Sequence, residues 1–230
     1  MAGTDTTEAT ADERVPLSRE RVLDGAVALA DRIGVMSFTI RKLADELDTK
    51  PMSIYHHVDG KDAILDGMID RVFAQITTPP EDLGWKEAVR VRCLSAREVL
   101  GRHPWATPLM ESRATPGPET LGHHDAVIGT FRRGGLSIGL TAHAYAIIDS
   151  YVYGFALQEA TLVTEADTDL TELAEGMLAE VMADYPHLAE LTTEHVLQPG
   201  YDFGSSFAYG LDLLLDGIAA AAEREATAES

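Results

Sequence analysis

From Thr39 to Lys61 the chain reads TIRKLADELDTKPMSIYHHVDGK. Arg41, Lys50, Ser53, Tyr55, His57 and Lys61 are hydrogen-bond donors, and Met52 is the one apolar group set among them. No acid lies between Thr49 and Val58. Donors of this kind bind phosphate oxygens, an arginine matches the two acceptors on a guanine edge, and a methionine can lie against a thymine methyl. The set suits contact with a DNA duplex, Arg41 and Met52 reading bases and the others fixing position on phosphates. His56 beside His57 fits that use better than catalysis.

Such groups work together only if local structure holds them on one surface. Leu43, Ala44 and Leu47 recur at helical spacing behind a Thr39 cap. Asp48-Thr49-Lys50 makes a tight turn, and Pro51 suits the first position of a helix, where its missing N–H has no partner to lose. A helix over Met52 to about His57 follows. Two short helices joined by a three-residue turn form a helix-turn-helix, whose second helix enters the major groove N-terminus first. Leu43, Leu47, Ile54 and Val58 turn inward and small Ala44 lets the helices approach. Lys50, Met52, Ser53, Tyr55 and His57 are left facing outward. A helix from a Ser18 cap to Gly34 precedes this unit, and another runs from Asp59-Gly60 through Ile76 to Pro79-Pro80.

The rest of the chain is helical in pattern too. Helices are expected over Trp85 to Arg102, Glu119 to Arg133, about Ser137 to Ala160, Leu170 to Ala183 and about Phe203 to Glu223, with a short element over Trp105 to Ser112. A loop at Arg113 to Glu119 and a break at Gly134-Gly135 separate them. No strand pattern and no internal repeat is present, so the fold class is all-α.

Composition limits the partners. The chain has 230 residues, 45% of them hydrophobic, which is enough for a buried core. Cys93 is the only cysteine, so no intrachain disulfide forms and a reducing compartment is expected. The N-terminus MAGTDTTEATADER lacks the basic and apolar regions of a signal peptide, and no run is apolar enough to span a membrane. A cytoplasmic location is expected. The formal net charge of −20 argues against a polyanionic partner if the chain acts as one body. The charge is uneven, however: eight basic and ten acidic residues lie between 15 and 76, against nine and 24 from 77 onward. No Lys or Arg occurs between Arg133 and Arg224.

No Ser/His/Asp set, metal-ligand spacing or phosphate loop is present, so no catalytic residue, metal or cofactor is expected. His123-His124-Asp125 lacks the i, i+4 spacing of paired helical ligands, and a surface or loop position is expected for it. Cys93 falls on the apolar face of its helix as a buried thiol. The acidic stretch Glu165 to Glu194 reads as a solvated face.

The segment from Leu17 to Ile76 resembles the N-terminal domain of tetracycline-repressor-type (TetR family) regulators. The likeness is carried by Phe38-Thr39-Ile40-Arg41-Lys42-Leu43-Ala44, then Ser53-Ile54-Tyr55-His56-His57-Val58 and Lys61. Resemblance to the tetracycline-repressor branch continues through Trp85 and Gly135-Leu-Ser, covering nearly the whole chain. Asp48 departs from the family, which usually has Gly in the turn; Asp tolerates the left-handed conformation better than most residues.

Residues 1–16 are polar without periodicity and read as a flexible arm, and the resemblance implies a DNA-binding domain over 17–62 and a helical ligand-binding and dimerisation domain over 63–230. It implies a homodimeric transcriptional regulator, read as a repressor released from a palindromic double-stranded operator when a small-molecule inducer shifts the fourth helix. Alternatives are an activator of the same architecture, or an all-helical small-molecule binding protein or enzyme whose helix-turn-helix is vestigial. Pocket candidates are Arg92, Ala96, Trp105, Met110, Phe131, Tyr151 and Gln158. Met110 and Gln158 match positions where the tetracycline branch holds magnesium, and neither suits a hard cation, so magnesium–tetracycline is not the expected inducer. Dimerisation is assigned to Gly210, Leu214, Gly217 and Ala221 of the last helix, with packing inside one chain as the alternative. The face with Ile138, Ala142, Tyr145, Asp149 and Val152 is expected to complete a four-helix interface.

Overall fold

The computed structural model describes residues 16–113, 115–165 and 184–228. The arm, apart from Pro16, and the helix expected over Leu170 to Ala183 lie outside the described residues. Among those residues there are ten α-helices and no strand. They are α1 (Arg19–Ile33), α2 (Ile40–Glu46), α3 (Pro51–Tyr55), α4 (Gly60–Phe73), α5 (Trp85–Arg102), α6 (Ala106–Glu111), α7 (Pro118–Arg133), α8 (Ile138–Glu165), α9 (Pro186–Leu191) and α10 (Ser205–Ala228). No helix among them is long and apolar enough to cross a membrane.

The first helices are bounded by local chemistry. The Ser18 hydroxyl accepts from the Arg21 N–H at 3.2 Å and Thr39 accepts from the Lys42 N–H at 3.2 Å, each satisfying a donor that a helix start leaves unpaired. Gly34, at φ 74°, closes α1. Pro51 opens α3, with Lys50 as its N-cap. Between α2 and α3 the chain reverses through Asp48, the only described non-glycine residue with positive φ (48°).

Val22, Ala26 and Leu29 of α1, Leu43 and Ala44 of α2 and Ile54 of α3 are buried over Ile64, Met68 and Val72 of α4. The other side of α4 joins the body, where α5 is surrounded by α7, α8 and α10. Val89, Cys93, Ala96 and Leu100 of α5 share that core with Phe131, Ile148, Phe207 and Leu211. Arg90 donates to Asp212 at 2.7 Å and Lys86 pairs with Asp216, tying α5 to α10. Gly134, in the break after α7, lies against the Trp85 side chain, where a Cβ would sit 2.4 Å from the indole.

Several boundaries differ from the sequence pattern. Helix α4 ends at Phe73 and turns carry the chain to Ile76, well before Pro79. Helix α8 runs on to Glu165, and α9 with a π-turn over Thr192–Val196 occupies a stretch read only as an acidic face.

At a left-handed position a side chain costs about 1–2 kcal/mol, and a β-branched one more. Asp48→Gly is expected to hold or raise the melting temperature and Asp48→Val to lower it, as measured by thermal unfolding.

Candidate nucleic-acid interface and binding cavity

Leu43, Ala44, Ile54 and Val58 are buried between α2, α3 and the helices beneath, and Leu47 is half-buried. This fixes the outer face. Arg41, Lys50, Met52 (67% exposed) and Tyr55 are exposed there, while Ser53 and His57 are half-buried. Lys61 is drawn back onto the fold: its ammonium donates to the Phe38 carbonyl at 3.3 Å and lies 5.9 Å from the Phe38 ring centroid. Lys42 similarly donates to the Ser37 carbonyl at 3.0 Å. Among the described residues none of Arg41, Lys42, Lys50 or Lys61 has a carboxylate within ion-pair distance, whereas Arg90, Arg97 and Arg113 of the body are each paired. Four basic side chains of the helix-turn-helix region are thus left without a carboxylate partner among the described residues.

On the far side of α4 lies a cavity of about 430 Å³. Helix α4 contributes Asp66, Ile69 and Phe73, α7 contributes Thr120 and His124, and α8 contributes Tyr145, Asp149 and Tyr153. Met110 of α6 and the α6–α7 connection, with Arg113 and Gly117, close the rim. That connection grips α4. Arg113 donates through Nε to Asp66 at 2.6 Å and through Nη1 to Asp62 at 2.9 Å. Asp70 accepts from the Thr120 N–H at 2.8 Å and from its hydroxyl at 3.0 Å. Gly117 lets the loop lie on Asp70, where a Cβ would come within 2.3 Å of the carboxylate.

Behind the cavity wall Arg92 is fully buried. Its Nε donates to His123 Nε2 at 2.8 Å, so His123 carries its proton on Nδ1, and its Nη1 lies 3.0 Å from Asp149 Oδ1. Burial is the largest influence on Arg92 and opposes its charge, but Asp149, Tyr153 and Cys93 together outweigh it and the guanidinium stays ionised. His123 is pushed down to about 3 by burial and then by the adjacent Arg92. Burial also lowers His124 and raises the Tyr145 phenol, whose hydroxyl is hydrogen-bonded with His124 Nδ1 at 2.5 Å. Tyr153 is pushed up to about 12, chiefly by burial, as is the buried Cys93 thiol in direction. The expectation of a surface or loop position for His123-His124 is corrected: both lie within α7, His123 buried and His124 half-buried, because that face of α7 packs toward α5 and α8.

Of the seven pocket candidates, Met110 lines this cavity and Arg92 stands behind its wall. Ala96 is packed within α5. Trp105 faces α1 and donates its indole N–H to Asp31 at 2.6 Å. Phe131 packs on Trp85, with ring centroids 5.8 Å apart. Tyr151 turns to α10, its hydroxyl donating to the Phe207 carbonyl at 3.0 Å, and Gln158 is exposed. Met110 and Gln158 therefore share no cavity. Sequence reasoning missed His124, Tyr145, Asp149, Tyr153 and Arg113 as cavity residues. One signal was available: Tyr145, Asp149 and Tyr153 are spaced by four in an otherwise apolar stretch. A second concavity of about 550 Å³ between α5 and α8 has its charges satisfied internally, Arg97 donating to Glu159 at 3.0 Å.

In α10, Gly210 lies against Tyr151 of the same chain, Leu214 and Ala221 are half-buried on the core, and Gly217 faces open space. In α8, Tyr145, Asp149 and Val152 point into the body, which corrects their expected place on an outer interface; Ile138 and Ala142 do face outward. Ile138 and Ile147 of α8 and Tyr209 and Leu213 of α10 are large exposed apolar residues.

A helix-turn-helix with an unpaired cationic face, set on a helical body with a polar cavity, defines a ligand-binding helix-turn-helix regulator. Residues 78–222 match the family model "Tetracyclin repressor-like, C-terminal domain", and the chain belongs to the tetracycline-repressor family of transcriptional regulators. It is 34% identical over 212 residues to the HTH-type transcriptional repressor DrrR1 of Streptomyces coeruleorubidus, covering 88% of this chain and 77% of that one. It is also 34% identical over 212 residues to an HTH-type transcriptional regulator of Saccharopolyspora erythraea, covering 91% and 87%. Among solved structures, Streptomyces coelicolor ActR in complex with actinorhodin superposes with a TM-score of 0.74 at 26% identity, over 90% of this chain and 99% of that one.

The depressed His123 gives a pH dependence of fixed sign. An unfolded imidazole takes its proton near pH 6.5 and the folded one only near 3, so unfolding takes up a proton between those values. Stability is full above about pH 6.5 and falls as pH drops toward 3. His123→Gln, which keeps an acceptor for Arg92, is expected to flatten this fall without abolishing it, since His124 is shifted the same way; melting temperatures across the window read it.

Proposed function

We propose that the chain is a homodimeric repressor that reads a palindromic operator through α3 and lets go when a small molecule fills the cavity between α4, α7 and α8. The observation that carries this reading is the double attachment of α4. One face of it supports α1 and the helix-turn-helix, and the other supplies Asp66, Ile69 and Phe73 to the cavity. A ligand pressing there acts directly on the element that sets the pose of α3. On this reading residues 17–62 are the DNA-binding unit, preceded by an arm over 1–16, and 63–230 form the sensing and dimerisation body.

Arg41 and Met52 read bases, while Lys50, Ser53, Tyr55, His57 and Lys61 position the helix on phosphates, Lys61 after leaving the Phe38 carbonyl. The exposed Ile138, Ile147, Tyr209 and Leu213 pair two copies, with Gly217 at the close approach. The dimer axis then relates two half-sites about 34 Å apart, so a modest change in the angle of α4 takes the two α3 helices out of register with successive major grooves. By linkage, DNA weakens the ligand as much as the ligand weakens DNA. The actinorhodin complex of ActR supports an organic effector. Met110 at the cavity rim offers magnesium no oxygen, in keeping with an effector other than magnesium–tetracycline.

Selection of random duplexes by the purified protein, with the winner titrated at several salt concentrations, tests this. A palindrome is expected. Arg41→Ala and Met52→Ala each cost about 1–3 kcal/mol at one base position, while Lys50→Ala weakens all sequences alike. Failure to enrich any sequence, repeated after unfolding and refolding to strip bound ligand, would sink the repressor reading and favour a helical binding protein.

A further inference from the structure

Sulfur is divided sharply between interior and surface. Cys93 is fully buried in the α5 core, and burial pushes its thiol up, so the chain's only thiol is sealed off and inert. Met68 of α4 is fully buried as well, and Met110 is half-buried at the cavity rim. Two thioethers differ. Met36, in the 3-10 turn over Val35–Ser37, is 96% exposed, and Met52, in the first turn of α3, is 67% exposed. Among the described residues these are the two sulfurs open to solvent, and both belong to the helix-turn-helix region. Whether a methionine takes up oxygen depends on access to its sulfur.

Position decides what an added oxygen does. Ile54 and Val58 are buried and hold α3 to the core, while Met52 stands clear of it, so an oxygen on its sulfur meets no packed neighbour and the fold is kept. Recognition is not kept. Met52 is the one apolar group among Lys50, Ser53, Tyr55 and His57, with no acid between Thr49 and Val58. A sulfoxide turns that apolar tip into a polar one, which has no favourable contact with a thymine methyl. It is also a hydrogen-bond acceptor, and Tyr55 lies three residues on, one turn along the same face of α3. The Tyr55 hydroxyl can then donate to the sulfoxide oxygen instead of to a phosphate. Met36 supplies the contrast: it is more exposed but sits in the turn before α2, off the helix that reads bases.

We propose that Met52 is a modification site, where oxidation of the thioether to the sulfoxide by a peroxide weakens operator reading without unfolding the chain, and reduction restores it. This rests on α3 being the operator-reading helix, and it adds a covalent control that bypasses the α4–α7–α8 cavity. A sulfur lone pair attacks one oxygen of hydrogen peroxide. The S–O bond forms as the O–O bond breaks, and the departing hydroxide takes the proton of the transferred oxygen and leaves as water. Sulfur loses two electrons and the peroxide gains them. The return step, catalysed by methionine sulfoxide reductases, consumes two thiols and yields the thioether, one disulfide and water.

The test treats the purified full chain with hydrogen peroxide, removes the excess with catalase and maps the oxidised peptides by mass spectrometry. Met36 and Met52 are expected to gain oxygen first, and Met68 and Cys93 to stay unchanged. Affinity for the duplex selected by the untreated chain should fall about fivefold or more, the loss of one base contact. The melting temperature should not move. Methionine sulfoxide reductases A and B with dithiothreitol, one enzyme for each sulfoxide epimer, should return the affinity. In Met36→Leu the ratio of treated to untreated affinity should match that of the unaltered chain, whereas in Met52→Leu it should be one.

A treated chain that carries the Met52 sulfoxide and binds its operator as before would overturn the proposal. So would a loss of affinity that persists in Met52→Leu or comes with a lowered melting temperature, since the damage would then lie elsewhere. Met52 staying a thioether while Met36 is oxidised would overturn it too. Affinity, melting temperature and reductase rescue of the unaltered chain decide the matter even if Met52→Leu fails to fold. Each of these failures leaves the repressor reading standing, because the untreated chain still selects its operator. If the untreated chain selects none, the repressor reading falls and takes this one with it.

Discussion

Helix α4 is buried on two sides, and that constraint organises the molecule. Ile64, Met68 and Val72 anchor α1 and, through it, α2 and α3, while Ile69 and Phe73 face the cavity. Gly67 permits the closest approach, lying where a Cβ would meet Leu23 of α1 at 2.6 Å. A helix enclosed in this way cannot change its tilt without shifting the packing on both sides, because close-packed interiors transmit displacement rather than absorb it. Its polar residues are enlisted as well: Asp62 and Asp66 hold Arg113, and Asp70 holds Thr120. The rim of the cavity is thereby attached to the same helix that carries the helix-turn-helix.

The charge inside the body follows a different rule. Enclosing Arg92 and Asp149 costs several kcal/mol per ion before their attraction is counted, and an apolar pair of similar volume would fill the same space. Neighbours make the enclosure tolerable: His123 accepts from Arg92 and is kept neutral by burial and then by Arg92, and Tyr145 is occupied with His124. Two of the buried partners are thus ring groups that stay uncharged at neutral pH, so the one ion pair is not diluted by a third charge. The result is a buried polar cluster behind the cavity wall, reaching the cavity through Asp149.

Most of the reading end was legible from local chemistry. Ser18 and Thr39 cap as their types and positions predict, Pro51 opens α3, and Asp48 takes the left-handed turn. Each of these depends on neighbours within a few residues. The cavity does not, since its walls come from α4, α6, α7, α8 and a connection, and only tertiary packing decides which side of each helix meets the others. Tyr151 and Gln158 show how small the margin is. At 3.6 residues per turn they lie about half a turn from Asp149, so choosing them turned α8 away from the space that Tyr145, Asp149 and Tyr153 line. The place of His123 is hidden for a related reason: ligand spacing along one helix says nothing of what an arginine on another helix needs. Gly210 meets Tyr151 of its own chain, the intrachain alternative that its spacing leaves open.

The separation of charge along the chain makes the molecule an electric dipole. Among the described residues Arg41, Lys42, Lys50 and Lys61 have no carboxylate within ion-pair distance, while 24 acids lie from residue 77 onward. A polyanion exerts a torque on such a body, turning the cationic tip inward and the acidic bulk outward, so collisions in the wrong orientation are repelled before contact. Added salt then has two opposed effects, weakening attraction at the tip and screening repulsion of the bulk. A salt slope for such a body consequently undercounts phosphate contacts.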